Sequence, residues 1–246
     1  VSEYIVGNYI SADRTDTKVF IPFLKKLCNA YPVQRVVVDS GYESEENYKF
    51  VDGSEQLSLF VKPANHEQKK KRKYKTDIGR RENMAYDGEK DEYICAQGRK
   101  LRATAVKTRK SETGHVQKVT VYECESCKEC PVKEKCIRTK KTDKIPLEER
   151  TKRLNVSKYF ARQREAMEKK ISTAEGILLR VNRSIQAEGV FAMIKEDMNF
   201  RRFLTRGNRN VQTEWYLVSM AYNIWKLHHK IQTGRLGSHL FAQGAA

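Results

Sequence analysis

Three groups of residues have the types and spacing to do chemistry. The first is Asp39, which follows Arg35-Val36-Val37-Val38 and precedes Ser40-Gly41-Tyr42. A carboxylate at the carboxyl end of a buried strand stands where open α/β sheets bind ligands, and Gly41 permits a tight turn after it. The plainer reading is an aspartate that caps that turn. The second group runs from Ser184 to Met198. Ala187, Val190, Phe191, Ile194 and Met198 recur at helical spacing as one apolar stripe. At about 100° per residue, Glu188 falls on the edge of that stripe, with Lys195 within about 20° of it and Ser184 about 40° to the other side. A carboxylate and an ammonium then share one flank beside the buried face; a solvated charge pair is the alternative. The third group is Cys124-x2-Cys127-x2-Cys130-x5-Cys136. Four clustered thiolates suit tetrahedral Zn²⁺. An iron–sulfur cluster is the rival, but Pro131 follows the third cysteine rather than the fourth. A cluster without metal is the remaining alternative. Cys95 is available as a substitute ligand, and Cys28, beside Leu27, reads as a core thiol.

These residues need elements to position them. Tyr4, Ile5, Val6, Tyr9 and Ile10 make residues 1–11 apolar and β-prone, so one or two strands are predicted there. Asp16 occupies an N-cap position, and Val19, Phe20, Phe23, Leu24 and Leu27 follow at helical spacing until Pro32. Residues 35–38 are typical of a buried parallel strand. Ser44 caps a helix from Glu45 to about Val51, and Leu57 to Val61 is another short strand. Strand and helix alternate, which predicts an α/β sheet. Residues 62–82 then hold nine Lys or Arg against three Asp or Glu. Later strands are expected around Glu92–Cys95 and Val116–Tyr122, and helices over Ser157–Ile171, Arg183–Met198 and Gln212–Ile231. Arg206-Gly207-Asn208 separates the last two. Trp215 and Trp225 read as core. His228 and His229 suit the last helix's C-terminal dipole better than a metal. There is no internal repeat.

The chain has 246 residues, which suits one domain or one domain with a large insertion. Hydrophobic residues make up 39%, charged residues 32%, and the net charge is +17. Such a balance calls for a polyanion: nucleic acid first, an acidic membrane surface second. No stretch approaches the ~18–20 apolar residues of a membrane span. The opening Val-Ser-Glu-Tyr-Ile-Val is no secretory signal, so a reducing, cytoplasmic setting and a metal rather than a disulfide framework are expected. The chain lacks an initiator Met and opens in strand-like sequence, which predicts an N-terminal truncation. Lys69, Lys70, Lys71, Arg72 and Lys73 read as phosphate contacts, with Tyr74 available to stack on a base. Arg201, Arg202 and Arg206, with Arg209, form a second basic group. Arg201–Leu204 could equally be a helix end paired with Glu196 and Asp197.

The segment Val37 to Asn47, Val-Val-Asp-Ser-Gly-Tyr-Glu-Ser-Glu-Glu-Asn, closely resembles the second-aspartate motif of bacterial insertion-sequence transposases. Asn182-Arg-Ser-Ile-Gln-Ala-Glu188-Gly-Val-Phe191, with Lys195-Glu196-Asp197 and Phe200-Arg-Arg-Phe-Leu-Thr-Arg-Gly207, resembles the block around their final glutamate. The family is the DDE transposases, in the branch with a cysteine cluster between second Asp and final Glu. The resemblance implies a ribonuclease-H-like mixed sheet flanked by helices, interrupted by a basic cysteine-rich insertion. The composition change after Pro63 divides the chain into residues 1–64, a first part of the core; 65–170, the insertion with a weak core of its own; and 171–246, a helical completion. The resemblance implies catalytic Asp39 and Glu188 holding Mg²⁺ or Mn²⁺; structural Zn²⁺ on Cys124, Cys127, Cys130 and Cys136 is the expectation from their spacing. Lys195 fits the E-x6-K part of the related Y-x2-R-x3-E-x6-K signature and would touch the DNA backbone. Arg183 lies one residue too far from Glu188 for the signature, and Arg180 stands where Tyr would. The first catalytic Asp should precede the opening strands, so Asp13 and Asp16 are read as caps. The implied partner is DNA, at element ends and target, with a homodimer in the DNA complex, nucleoid-associated, and no small-molecule substrate. The alternatives are a non-catalytic DNA-binding transposase remnant and an unrelated zinc-ribbon module. The latter requires no proximity between Asp39 and Glu188.

Overall fold

The computed structural model describes residues 4–139 and 144–237 and is α/β throughout. The chain divides into two compact units, Val1–Lys62 with Met167–Ala246, and Pro63–Ala166.

In the first unit, α1 (Phe20–Ala30) buries Phe20 and Leu24 and stops at Tyr31, which is extended ahead of Pro32. Proline disfavours helical backbone in the residue before it, so the stop is local. Two strands, β1 (Arg35–Val38) and β2 (Ser58–Val61), pair in parallel with Val36 opposite Leu59 and Val38 opposite Val61. Between them runs α2 (Glu45–Asp52), started by the Ser44 hydroxyl, which accepts the Asn47 amide at 3.1 Å. This strand–helix–strand unit was expected, and it leaves Asp39 at the carboxyl end of β1. The strands expected over residues 1–11 are not found in the described part, Tyr4 onward; the rest of that stretch lies outside the described residues. A strand needs a partner for its backbone groups. Here the Asn223 side-chain amide takes that role, accepting the Ile5 amide at 2.9 Å and donating to the Ile5 carbonyl at 2.8 Å.

The second unit opens with short helices, α3 (His66–Lys70) and α4 (Arg72–Lys75). Its five-stranded antiparallel sheet runs in sequence order: β3 (Ala85–Asp87), β4 (Glu92–Ile94), β5 (Lys100–Lys110), β6 (Val116–Cys124) and β7 (Arg153–Val156). A turn of helix, α5 (Lys133–Cys136), lies between β6 and β7, and α6 (Lys158–Ile171) follows β7. The weak core expected for this region is instead a well-formed one. Leu101 and Tyr122 are fully buried, packed with Met84, Tyr93, Leu154 and Val156. The Tyr122 hydroxyl, which burial would otherwise penalise, donates to Asp91 at 2.6 Å.

The chain then enters α7 (Ala174–Ala192), where the Thr173 hydroxyl accepts the Gly176 amide at 3.0 Å. This start lies ahead of the Arg183 expected from the apolar pattern, and the helix ends in a π-turn, Met193–Asp197, rather than running on to Met198. Of the expected apolar stripe only Ile194 is buried, and Phe191 is exposed. The last helix is α8 (Asn208–Gln232). Its Trp225 is exposed and stacks on His229, so it is not core; Trp215 is partly buried among Phe191, Phe200 and Phe203. Cys28 is likewise exposed rather than a core thiol. No helix among the described residues is long and apolar enough to cross a membrane. The parallel pair and its helices are compatible with a ribonuclease-H-like core.

Candidate active site

Asp39 leaves the end of β1 with both carboxylate oxygens engaged. Oδ1 accepts the Gly41 amide at 2.9 Å, so the residue does cap its turn. Oδ2 accepts from Arg183 Nη2 at 3.0 Å. Arg183 comes from α7, and its Nη1 lies 3.8 Å from Glu188 Oε1. The same Glu188 oxygen accepts the Ser184 hydroxyl at 2.9 Å. One guanidinium therefore spans two carboxylates that the sequence holds far apart. The side chains are 44% (Asp39), 30% (Arg183) and 71% (Glu188) exposed. Exposed ion pairs add little to stability. The bridge matters as geometry: it gathers acidic oxygens at the strand's carboxyl edge, open to solvent.

Asp16 joins them. It begins a 3₁₀ turn, Asp16–Lys18, whose N-cap is Thr15, and α1 starts from Val19 without any side-chain cap. The reading of Asp16 as a cap is therefore corrected. A Cβ on Gly41 would stand 2.9 Å from Asp16 Oδ2 and 3.1 Å from Asp39 Oδ1, so the two carboxylates flank one glycine. Asn47 holds this arrangement, its amide donating to the carbonyls of Thr17 at 3.2 Å and Tyr42 at 2.8 Å. Burial raises the Tyr42 pKa, and the charges of Asp16 and Asp39 raise it further, against the opposing Arg183. Nothing in the spacing of Asp16 announces this placement; it arises through Asn47.

Among the described residues Lys195 makes no ion pair with Asp39 or Glu188. It sits in the π-turn with its ammonium 5.9 Å from the Phe191 ring centroid. The wider turn breaks the regular rotation that had placed it beside Glu188.

Among the described residues, no group of three or more His, Cys, Asp or Glu stands ready to hold a metal. Mg²⁺ asks for less: one or two carboxylates, with waters and substrate phosphates completing the shell. The hard oxygen donors of Asp39 and Glu188 fit that requirement. The sulfur chemistry is separate. Cys95, Cys124, Cys127, Cys130 and Cys136 all line one cavity of about 20 Å³. Burial pushes the Cys124 thiol up to about 12 and raises Cys136. Cys124 donates to the Ser126 carbonyl at 3.3 Å, and Cys127 accepts the Lys152 amide at 3.3 Å.

The basic runs are mixed. Tyr74 is buried, with the Arg80 guanidinium 4.0 Å from its ring centroid, so it is not free to stack on a base. Helical α4 turns it inward while Lys71, Arg72 and Lys73 stay exposed. Lys70 pairs with Glu67 at 3.2 Å. Arg201 pairs with Glu196 at 3.3 Å, and Arg202 and Arg206 are exposed.

Compared with protein families, residues 94–228 match the family model described as Transposase DDE domain, more than half of the chain. That stretch holds Cys95, Cys124, Cys127, Cys130 and Cys136, with Arg183, Glu188 and Lys195, and ends within α8; Asp39 lies ahead of it. No curated protein and no solved structure matches the chain.

Proposed function

This chain belongs to the transposase DDE-domain family, and we propose that it serves the metal-dependent cleavage and transfer of DNA strands at the ends of an insertion-sequence element. Asp39 and Glu188 hold Mg²⁺ or Mn²⁺. When bound, such ions activate the attacking oxygen and stabilise the leaving one. The chain's own groups do the positioning. The Gly41 amide fixes one oxygen of Asp39, and Ser184 fixes Glu188. Arg183 keeps the two carboxylates together and is a fork-shaped donor suited to an incoming phosphate. Lys195 contacts the DNA backbone. Lys69, Lys70, Lys71, Arg72 and Lys73, with Arg201, Arg202 and Arg206, add affinity that is independent of sequence. Two copies act together on paired ends, in the cytoplasm and at the nucleoid. Cys124, Cys127, Cys130 and Cys136, with Cys95 in reserve, hold a structural zinc ion in the strand-rich unit.

The observation that carries this reading is the Asp39–Arg183–Glu188 bridge. An unrelated zinc-ribbon module has no use for it. Mn²⁺ titration followed by electron paramagnetic resonance tests it. Asp39→Asn and Glu188→Gln should each weaken Mn²⁺ binding by roughly tenfold or more. Unchanged affinity in both variants would sink the assignment. With two carboxylates assigned rather than three, this chain should bind DNA in Mg²⁺ without nicking it, as the non-catalytic reading also requires. Nicking that is lost on Asp16→Asn would overturn that part and make Asp16 the third carboxylate.

A further inference from the structure

In the strand-rich unit, β5 and β6 outrun their neighbours. β4 pairs with β5 only over Lys100–Arg102, and β7 pairs with β6 only over Thr120–Glu123. Beyond those limits Lys107–Lys110 and Val116–Val119 pair with each other alone. The turn that joins them has Gly114 at φ +89, where side chains are disfavoured. A register shift between Ala103 and Ala105, with the Thr104 hydroxyl donating to the Val121 carbonyl at 3.3 Å, marks the base of this ribbon. Such bulges re-aim a strand. Val106 is 66% exposed and Val116 46% exposed. Val119 is buried at the ribbon's base, but beyond it a bare two-stranded ribbon is only marginally stable in water, so packing gives no reason for the outer length.

Its charges give one. Side chains alternate between the faces of a strand. The register sets Lys107 opposite Val119, Thr108 opposite Lys118, Arg109 opposite Gln117 and Lys110 opposite Val116. Lys107 and Arg109 therefore project from one face, and Lys110 and Lys118 from the other. All four are exposed and make no ion pair among the described residues. Glu112 is the single acid from Val106 to Lys118. Lys70 and Arg201, by contrast, already have carboxylate partners. A membrane or a flat protein surface would meet one face of the ribbon and leave the other face's cations unanswered. A DNA groove has a phosphate wall on each side. Two strands about 4.8 Å apart fit a major groove about 12 Å wide.

We propose that the β5–β6 ribbon enters the major groove of duplex DNA, with Lys107, Arg109, Lys110 and Lys118 on the two phosphate walls. This rests on DNA being the partner, but on nothing in the carboxylate site. The test uses the whole chain and a mixed-sequence duplex. Replacing the four cations with Ser should leave thermal melting unchanged and flatten the slope of log K against log salt by about 0.9 for each phosphate no longer neutralised. Methylating guanine N7, which lies in the major groove, should weaken the parent chain and not the variant. An unchanged slope in the folded variant overturns the proposal. If the variant misfolds, amine acetylation of the parent chain decides: DNA should protect Lys107, Lys110 and Lys118, and equal reactivity with and without DNA overturns the proposal. Asp39→Asn should keep the full salt slope, so failure of the catalytic reading leaves this result standing. A parent chain that binds no duplex would end both.

Discussion

Gly41 is where the candidate site is tightest. A methyl group there would stand 2.9 Å from Asp16 Oδ2 and 3.1 Å from Asp39 Oδ1. Both atoms end short side chains, and Asp39 is well exposed. The fold can turn them aside cheaply, but the site cannot. Gly41→Ala should therefore keep stability within about 1 kcal/mol of the parent in urea melts, while Mn²⁺ binding falls by roughly tenfold. A variant that holds Mn²⁺ as well as the parent would show that the carboxylates around Gly41 do not act together. Tyr42 reports on the same place. Asp16 is a negative charge that raises its pKa, so Asp16→Asn should let the phenol ionise at lower pH, read from ultraviolet absorbance.

At the scale of elements, α7 carries Arg183, Ser184 and Glu188, and its first turn is wedged. A Cβ on Gly176 would meet the Lys170 carbonyl oxygen at 2.3 Å and Ile171 Cα at 2.7 Å. These are backbone atoms and cannot swing away. Gly176→Ala should cost about 1–3 kcal/mol despite alanine's better helix propensity. Gly189, on the same helix, has nothing within 4 Å of its Cβ position. Gly189→Ala should stabilise by about 0.5–1 kcal/mol. Urea unfolding of the two variants should give opposite signs; equal signs would mean that α7 does not pack on the end of α6.

At the scale of the whole molecule, a chain of net charge +17 gains more positive charge as acid protonates its carboxylates. Asp91 resists that protonation. Burial favours its neutral form, but hydrogen bonds from Lys158, Tyr122 and Tyr86 outweigh this and hold its pKa at about 2. Its folded pKa is lower than the ~3.9 of an unfolded aspartate. Its contribution to stability is thus present above about pH 4 and is lost as pH falls through about 2. The near-ultraviolet signal of Tyr86, Tyr93 and Tyr122 should fade across that window. Asp91→Asn keeps a residue tolerated at the observed φ of +52. It should flatten the acid dependence and cost about 1 kcal/mol at neutral pH. An Asn variant with the parent's full acid dependence would remove Asp91 from this role.

Much of the local structure was legible from the chain alone. The β-branched run before Asp39, the Ser44 cap and the Pro32 stop act through hydrogen bonds and sterics within a few residues, so β1, α2 and the end of α1 could be read directly. Asp39 and Glu188 stood out as candidates because their flanking segments resemble those of known transposases. The remaining features depended on contacts between distant segments. Arg183 bridges Asp39 and Glu188, and Asp16 reaches Asp39 through Asn47. The outer half of β5, Lys107–Lys110, is polar on both faces, so no apolar alternation announces it; it exists because β6 offers a register. Tyr74 is buried and Trp225 exposed because burial depends on which helix face meets a neighbour. Periodicity in sequence reports hydrogen bonding over a few residues. Which charge faces which, and which side chain leaves water, is settled only when distant segments pack together.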